Sequence, residues 1–380
     1  MRFSTLLVAI VAVGLLLGRP GLAQTVETPA THAILIDATT GAVLFEKNAD
    51  QRMPPASMSK LMTLLMVFER LQDGSIALDD TMRVSETAWR MGGSRMFVEP
   101  NSRVPVSVLL RGVIVQSGND ASVVFAEGLS GSEEAFAEEM NRRAAEIGLT
   151  NSTFRNATGW PNPEHRTTVR DLTTIASRII TEFPELYKIF SEKEFTYNNI
   201  KQGNRNPLLY KDIGADGLKT GHTQESGYGL VASAERKGRR LILAVNGLES
   251  VNQRARETER LIDMGFRDFN NYPLFMANNV VEEADVWLGA GATVPLILED
   301  DVMLTMSRKA RRDMTVTVSY ESPVAAPIER GARLAELRIE APNMEPIVRD
   351  LVAGASVDRL GFVGRLGAAV SHIVWGTQSP

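Results

Sequence analysis

The 380-residue sequence contains no cysteine. That excludes disulfides, thiol catalysis and cysteine-ligated metal, so a chain of this length must be held together by its core. Histidine is scarce as well. His32, His165, His222 and His372 lie far apart and none falls at a metal-ligand spacing, so neither metal nor cofactor is expected. The apolar run Leu6 to Leu17 covers about a dozen residues, short of the ~20 that cross a bilayer. Positive charge is not in excess: 41 lysines and arginines face 46 acidic residues, a net charge of −5. A nucleic-acid partner is therefore not expected.

What is present begins with an export signal. Arg2 supplies a short basic region, Leu6–Leu17 an apolar stretch, and Gly21-Leu22-Ala23 a small-x-small cleavage site, so residues 1–23 read as a signal peptide. The runs His32-Ala33-Ile34-Leu35-Ile36-Asp37 and Ala42-Val43-Leu44-Phe45, joined through Thr39-Thr40-Gly41, predict a hairpin. Helices are expected over about 57–71, 107–129, 132–147, 168–181 and 252–264, with strands at 218–220, 228–234 and 240–246. A hairpin, an all-helical middle, then strands and a closing helix predict an α+β unit over 24–275. In it a sheet is flanked by helices and a helical subdomain walls a cleft.

After Asn270-Asn271-Tyr272-Pro273 the texture changes to short β runs between Gly and Pro turns, a smaller all-β domain over 276–352. In 353–380, Phe362, Val363, Leu366, Ala369, Val370, Ile373 and Val374 fall at helical 3/4 spacing with Arg359 heading the stripe. Gly354, Gly361, Gly364 and Gly367 weaken that helix in free water. It is expected to form on a membrane surface, with Trp375 at the interface.

Three short strings carry the chemistry: Ser57-Met58-Ser59-Lys60, Ser117-Gly118-Asn119 and Lys219-Thr220-Gly221. Each alone is common. A chain this long shows S-x-x-K about once by accident, and Ser250-Val251-Asn252 is a second S-x-N. Their ordered joint occurrence is the signal. Ser57 opens an apolar helix, where free N–H groups favour developing negative charge. Lys60, three residues on, shares its face. With Leu61, Met62, Leu64 and Leu65 beside it, Lys60 is expected to be buried and to lose basicity, which suits a general base. Ser117 can relay a proton from a turn or helix junction, while Asn119 can donate to a substrate carbonyl and accept from a lysine. Lys219 and Thr220 on a strand edge can grip a carboxylate, and Gly221 leaves room for a peptide to pair as an added strand.

With these motifs, and with Met91-Gly92-Gly93-Ser94 and Asp216-Gly217-Leu218-Lys219-Thr220-Gly221-His222-Thr223, the chain resembles the serine D-alanyl-D-alanine carboxypeptidases, the low-molecular-mass penicillin-binding proteins. The resemblance spans nearly the whole chain after the signal and implies the penicillin-binding/β-lactamase-like transpeptidase fold. By position it implies Ser57 as nucleophile, Lys60 as base, Ser117 and Asn119 in proton transfer and orientation, and Lys219 and Thr220 at the terminal carboxylate. It further implies an oxyanion hole at the N–H groups of Ser57 and His222, and Arg254 as another carboxylate-binding cation. The substrate implied is the peptidoglycan stem pentapeptide, losing its terminal D-alanine, with β-lactams as covalent inhibitors. The location implied is periplasmic, attached to the outer face of the cytoplasmic membrane. Trp160 in Asn156-Ala157-Thr158-Gly159-Trp160 stands where relatives carry a smaller aliphatic residue, and Thr158 where they carry histidine. No Glu-x-x-Leu-Asn element lies in 155–172, which argues against efficient β-lactam hydrolysis. D,D-endopeptidase cleavage of cross-links and a non-catalytic cell-wall-binding module are the alternatives.

Overall fold

The computed structural model describes residues 26–362. The expected signal peptide lies outside them, as does the part of the expected 353–380 helix beyond Phe362; the helix does not begin at 353, because Val357 and Arg359 form β-bridges to Ile328 and Gly289 of the β-rich part. The hairpin forms from His32–Asp37 and Val43–Lys47. Asp37 Oδ1 accepts from the N–H groups of Thr39 and Thr40 at 2.9 and 3.2 Å, which fixes the turn. A five-stranded sheet then runs in the order Val43–Lys47, His32–Asp37, Arg239–Leu248, Gly227–Arg236, Ala215–Thr223. Every pairing in it is antiparallel.

Both faces of this sheet are covered, which explains the unbroken apolar run Leu241–Val245 in its central strand. Successive residues there point to opposite sides. Ile242 and Ala244 join Ile34, Val231 and Leu218 against the helices Lys60–Gln72 and Val169–Glu182. Leu241, Leu243 and Val245 join Leu35, Leu230 and Ala232 against Leu261, Ile262 and Met264 of the helix Val251–Asp268. Hydroxyl caps start the helices where the sequence signals them. Ser132, Thr168 and Ser250 accept from the N–H groups of Ala135, Asp171 and Gln253.

The single helix expected over 107–129 is two helices, Val106–Ile114 and Asn119–Ser130. The chain breaks because Ser117 adopts a left-handed backbone with φ of 60°, which no helix interior accommodates. That break is the junction on which Ser117-Gly118-Asn119 sits.

The β-rich part holds a six-stranded sheet and a separate pair in which Phe269–Phe275 runs antiparallel to Val302–Ser307. Its core gathers Leu296, Leu298, Met306, Leu337 and Leu351. Asp37 ties it to the hairpin turn. The carboxylate is fully buried and accepts from Arg239 Nε at 2.7 Å and from Asn271 Nδ2 at 3.2 Å. Asn271 Oδ1 accepts from Thr305 Oγ1, which also meets the Thr40 hydroxyl. Replacing Asp37 by alanine leaves the largely covered Arg239 without its anion, at a cost of about 3 kcal/mol. Urea unfolding of Asp37→Ala checks this, and an unchanged midpoint contradicts it.

Candidate active site

Ser57 lies in a tight turn, Ala56–Ser59, that runs straight into the helix Lys60–Gln72. The strand Ala215–Thr223 passes directly against this turn. A Cβ on Gly221 would lie 2.9 Å from Pro55 O and 3.0 Å from Met58 Cγ, so only glycine lets strand and turn approach. Lys60 is fully buried, as the apolar neighbours on all sides of its helix require. Its Nζ meets Ser57 Oγ at 2.9 Å, Asn119 Oδ1 at 2.7 Å and Thr158 O at 2.6 Å. Burial, reinforced by the cation of Arg205, lowers its pKa from the usual lysine value to about 7, although Asp120 and Glu133 pull the other way.

The helix break places Ser117 opposite this pair. Lys219, also buried, donates to Ser117 Oγ at 2.9 Å and to Thr220 O at 3.1 Å. Burial, then Lys60, Arg205 and Arg254, push Lys219 well below the ordinary lysine range. Asn119 is held on three sides: Oδ1 on Lys60, Nδ2 donating to Gly92 O at 2.8 Å, and its N–H to Ser94 O at 2.7 Å. The adjacent Asp120 caps the loop that follows, accepting from the N–H groups of Met96, Phe97 and Val98.

A cleft of about 220 Å³ opens over Ser57, lined also by Ser94, Asn119, Thr158, Trp160 and His222. The exposed His222 ring stacks on Tyr228 with centroids 3.9 Å apart. Arg254 is buried, its guanidinium 5.8 Å from the Tyr228 centroid, and its Nε has no hydrogen-bond partner among the described residues. Burial lowers its basicity and that of Arg205. Ser57, Lys60, Ser117, Asn119 and Lys219 thus converge, with the Thr220 carbonyl on Lys219, His222 on the cleft wall, and Arg254 at 3.5 Å from Gly229 O and Arg205 O.

Two contributors had no motif. Arg205 comes from the loop Gly203-Asn204-Arg205-Asn206, donates to Ser94 Oγ and joins Lys60, Lys219 and Arg254 as a fourth basic group near the site. His165, a lone histidine in the sequence, is buried beside Ser59 of the nucleophile turn. Its Nδ1 accepts from the Arg155 N–H at 3.3 Å, so the proton sits on Nε2, 2.7 Å from Ser59 Oγ. Burial first, then Arg166, Lys60 and Arg155, hold its pKa at about 4, so the ring is neutral. No spacing rule links positions 59 and 165.

A serine and a buried amine at the start of a helix, beside a sheet-edge lysine and under a helical wall, define an active-site-serine enzyme of the penicillin-binding type. A family model described as D-alanyl-D-alanine carboxypeptidase matches residues 21–250, and one described as the penicillin-binding protein 5 C-terminal domain matches 269–359. D-alanyl-D-alanine carboxypeptidase DacC of Escherichia coli (strain K12) is 36% identical over 354 residues, 90% of this chain and 88% of its own length. DacA of Haemophilus influenzae is 37% identical over 348 residues, again 90% and 88%. The solved DacD of Francisella tularensis superposes with a TM-score of 0.79 at 30% identity, covering 88% of this chain and 95% of that one. Penicillin-binding protein D2 of Listeria monocytogenes, solved with ampicillin bound, gives 0.58 at 31% identity over 63% of this chain and 98% of its own. The chain belongs to the D-alanyl-D-alanine carboxypeptidase family and is a serine-type hydrolase of that family.

The Ser59–His165 bond yields a stability test. Ser59→Ala strands a buried imidazole N–H and costs about 1–3 kcal/mol. Ser59→Thr keeps the hydroxyl and should cost less, and equal denaturation midpoints for the two variants contradict the account.

Proposed function

We propose that this chain removes the terminal D-alanine from peptidoglycan stem pentapeptides through an ester on Ser57, with the roles below. The observation that carries the reading is Lys60, fully buried, 2.9 Å from Ser57 Oγ and titrating near 7. A lysine amine with a pKa of about 7 holds a large neutral fraction at physiological pH, and this form takes the proton of Ser57 as its oxygen attacks the scissile carbonyl. The oxyanion that forms is received by the backbone N–H groups of Ser57 and His222. Ser117, bonded to Lys219, gives its proton to the departing amine of D-alanine and is resupplied with the proton that Lys60 took from Ser57, which returns Lys60 to its neutral form, while Asn119 orients the peptide. The terminal carboxylate sits against Lys219 and Thr220, with Arg254 and Arg205 adding positive charge. Water then attacks the ester, with Lys60 again as base, and frees the shortened peptide.

The same serine opens β-lactam rings and is held as a stable ester, a reading supported by the antibiotic-bound form of the Listeria relative. Among the described residues no helix is long and apolar enough to cross a membrane. Export through residues 1–23, and attachment to the outer face of the cytoplasmic membrane by an amphipathic helix past Phe362, complete the proposal.

Labelling with a fluorescent penicillin tests the nucleophile. The wild-type protein should label and Ser57→Ala should not; equal labelling of both sinks the assignment. Mass spectrometry of muropeptides after incubation reads the reaction itself, as conversion of pentapeptides to tetrapeptides. The base assignment fixes a pH dependence. Lys60 must be neutral, its pKa is about 7, and protonation therefore removes activity as pH falls. kcat/KM should drop about tenfold per unit below that point, and a flat profile down to pH 5 contradicts it. For the tail, Val357 bridges Ile328 and the Leu360 N–H donates to Leu288 O, so the informative truncation falls after Phe362. That variant should move from the membrane to the soluble fraction with peptidase activity retained.

A further inference from the structure

Trp160 is 45% exposed, an unusual state for so large an apolar ring, and it lies on the cleft that holds Ser57. Its position is built rather than loose. Asn156 Oδ1 accepts from the N–H groups of Thr158, Gly159 and Trp160, and Asn156 Nδ2 donates back to Trp160 O at 3.1 Å. From this clamp the indole reaches the loop on the far wall. A Cβ on Gly92 would lie 3.3 Å from Trp160 Cη2, and one on Gly93 3.2 Å from Cζ3. Any side chain at those positions would press on the ring. The indole therefore bridges two loops that both belong to the cleft, beside Asn119, whose Nδ2 bonds Gly92 O.

Trp160 and Pro161 give the cleft over Ser57 an apolar wall. Lys219, Arg205 and Arg254 do not line it but stand behind the groups they bond, Ser117, Ser94 and Gly229. With the carboxylate of the departing residue directed to these basic groups, as proposed above, the acyl portion is left the space that the indole walls. We propose that Trp160 is a specificity-determining residue that filters the acyl portion by bulk. The bridge to Gly92 and Gly93 admits a linear, slender peptide and turns away a branched or cross-linked one. On this account the same catalytic groups are restricted to carboxypeptidase work by the indole. The inference rests on the acyl-enzyme reading given above.

The test compares second-order acylation rates for two penicillins, one with a small and one with a bulky 6-acyl substituent, in wild type, Trp160→Leu and Trp160→Ala. Thermal unfolding is followed alongside. The small-to-bulky rate ratio should fall about tenfold or more in Trp160→Ala, with Trp160→Leu between, and Trp160→Ala should gain cleavage of dimeric muropeptides. A ratio within about twofold of wild type overturns the inference. So does a Trp160→Ala protein that unfolds at the wild-type temperature yet no longer acylates, since the ring would then serve the chemistry itself. Failure of the wild-type protein to label overturns the acyl-enzyme reading and this inference with it, and is recognised because it occurs without any substitution.

Discussion

The site depends on one constraint: an amine sealed inside a core with no carboxylate bonded to it. Lys60 makes its bonds to a hydroxyl, an amide oxygen and a backbone carbonyl, all neutral groups. Burying a charge on those terms is costly, and the molecule answers by letting the proton go. Each surrounding element is arranged to maintain this. The helix Lys60–Gln72 is buried from Lys60 to Phe68, so water has no path along it. The loop 156–160 lays the Thr158 carbonyl on Nζ and anchors itself through Ala157 O, which accepts from Thr63 Oγ1 at 2.7 Å. The left-handed turn at Ser117 brings Asn119 to the other side of the amine.

Much of this could be read from residues because the decisive spacings are local. Ser57 and Lys60 are spaced i and i+3 at the start of one helix, and Lys219-Thr220-Gly221 sits on a short run with strand character after Gly214-Ala215-Asp216-Gly217. The apolar surroundings of Lys60 announced its burial. The five-stranded sheet and most helices followed from β runs, capping hydroxyls and turn glycines in the same way.

What could not be read is tertiary. Ser117-Gly118-Asn119 reads as a turn or helix junction, but apolar periodicity continues through Val113, Ile114 and Val115, so the left-handed backbone that splits 107–129 into two helices is not encoded there. Arg205 enters from a loop with no pattern of its own, and the Ser59–His165 bond joins residues 106 apart. Asp37 reads as the end of a strand, yet it is the post to which Arg239 and Asn271 fasten the second half of the molecule. Such contacts are chosen by packing, and a pattern of types and spacings does not encode them.

The crowd of basic groups behind the cleft has a kinetic consequence. The chain as a whole carries a charge of −5, so its surface repels an acidic peptide at long range. Arg205 and Arg254, beside Lys219, oppose that field locally within low-dielectric surroundings. Encounter with a peptide bearing a free terminal carboxylate is thus governed by a short-range lens set in a repulsive shell. Added salt weakens the shell before the lens, because sheltered charges are screened less than exposed ones. Moderate salt therefore raises capture of the ligand before it begins to weaken it.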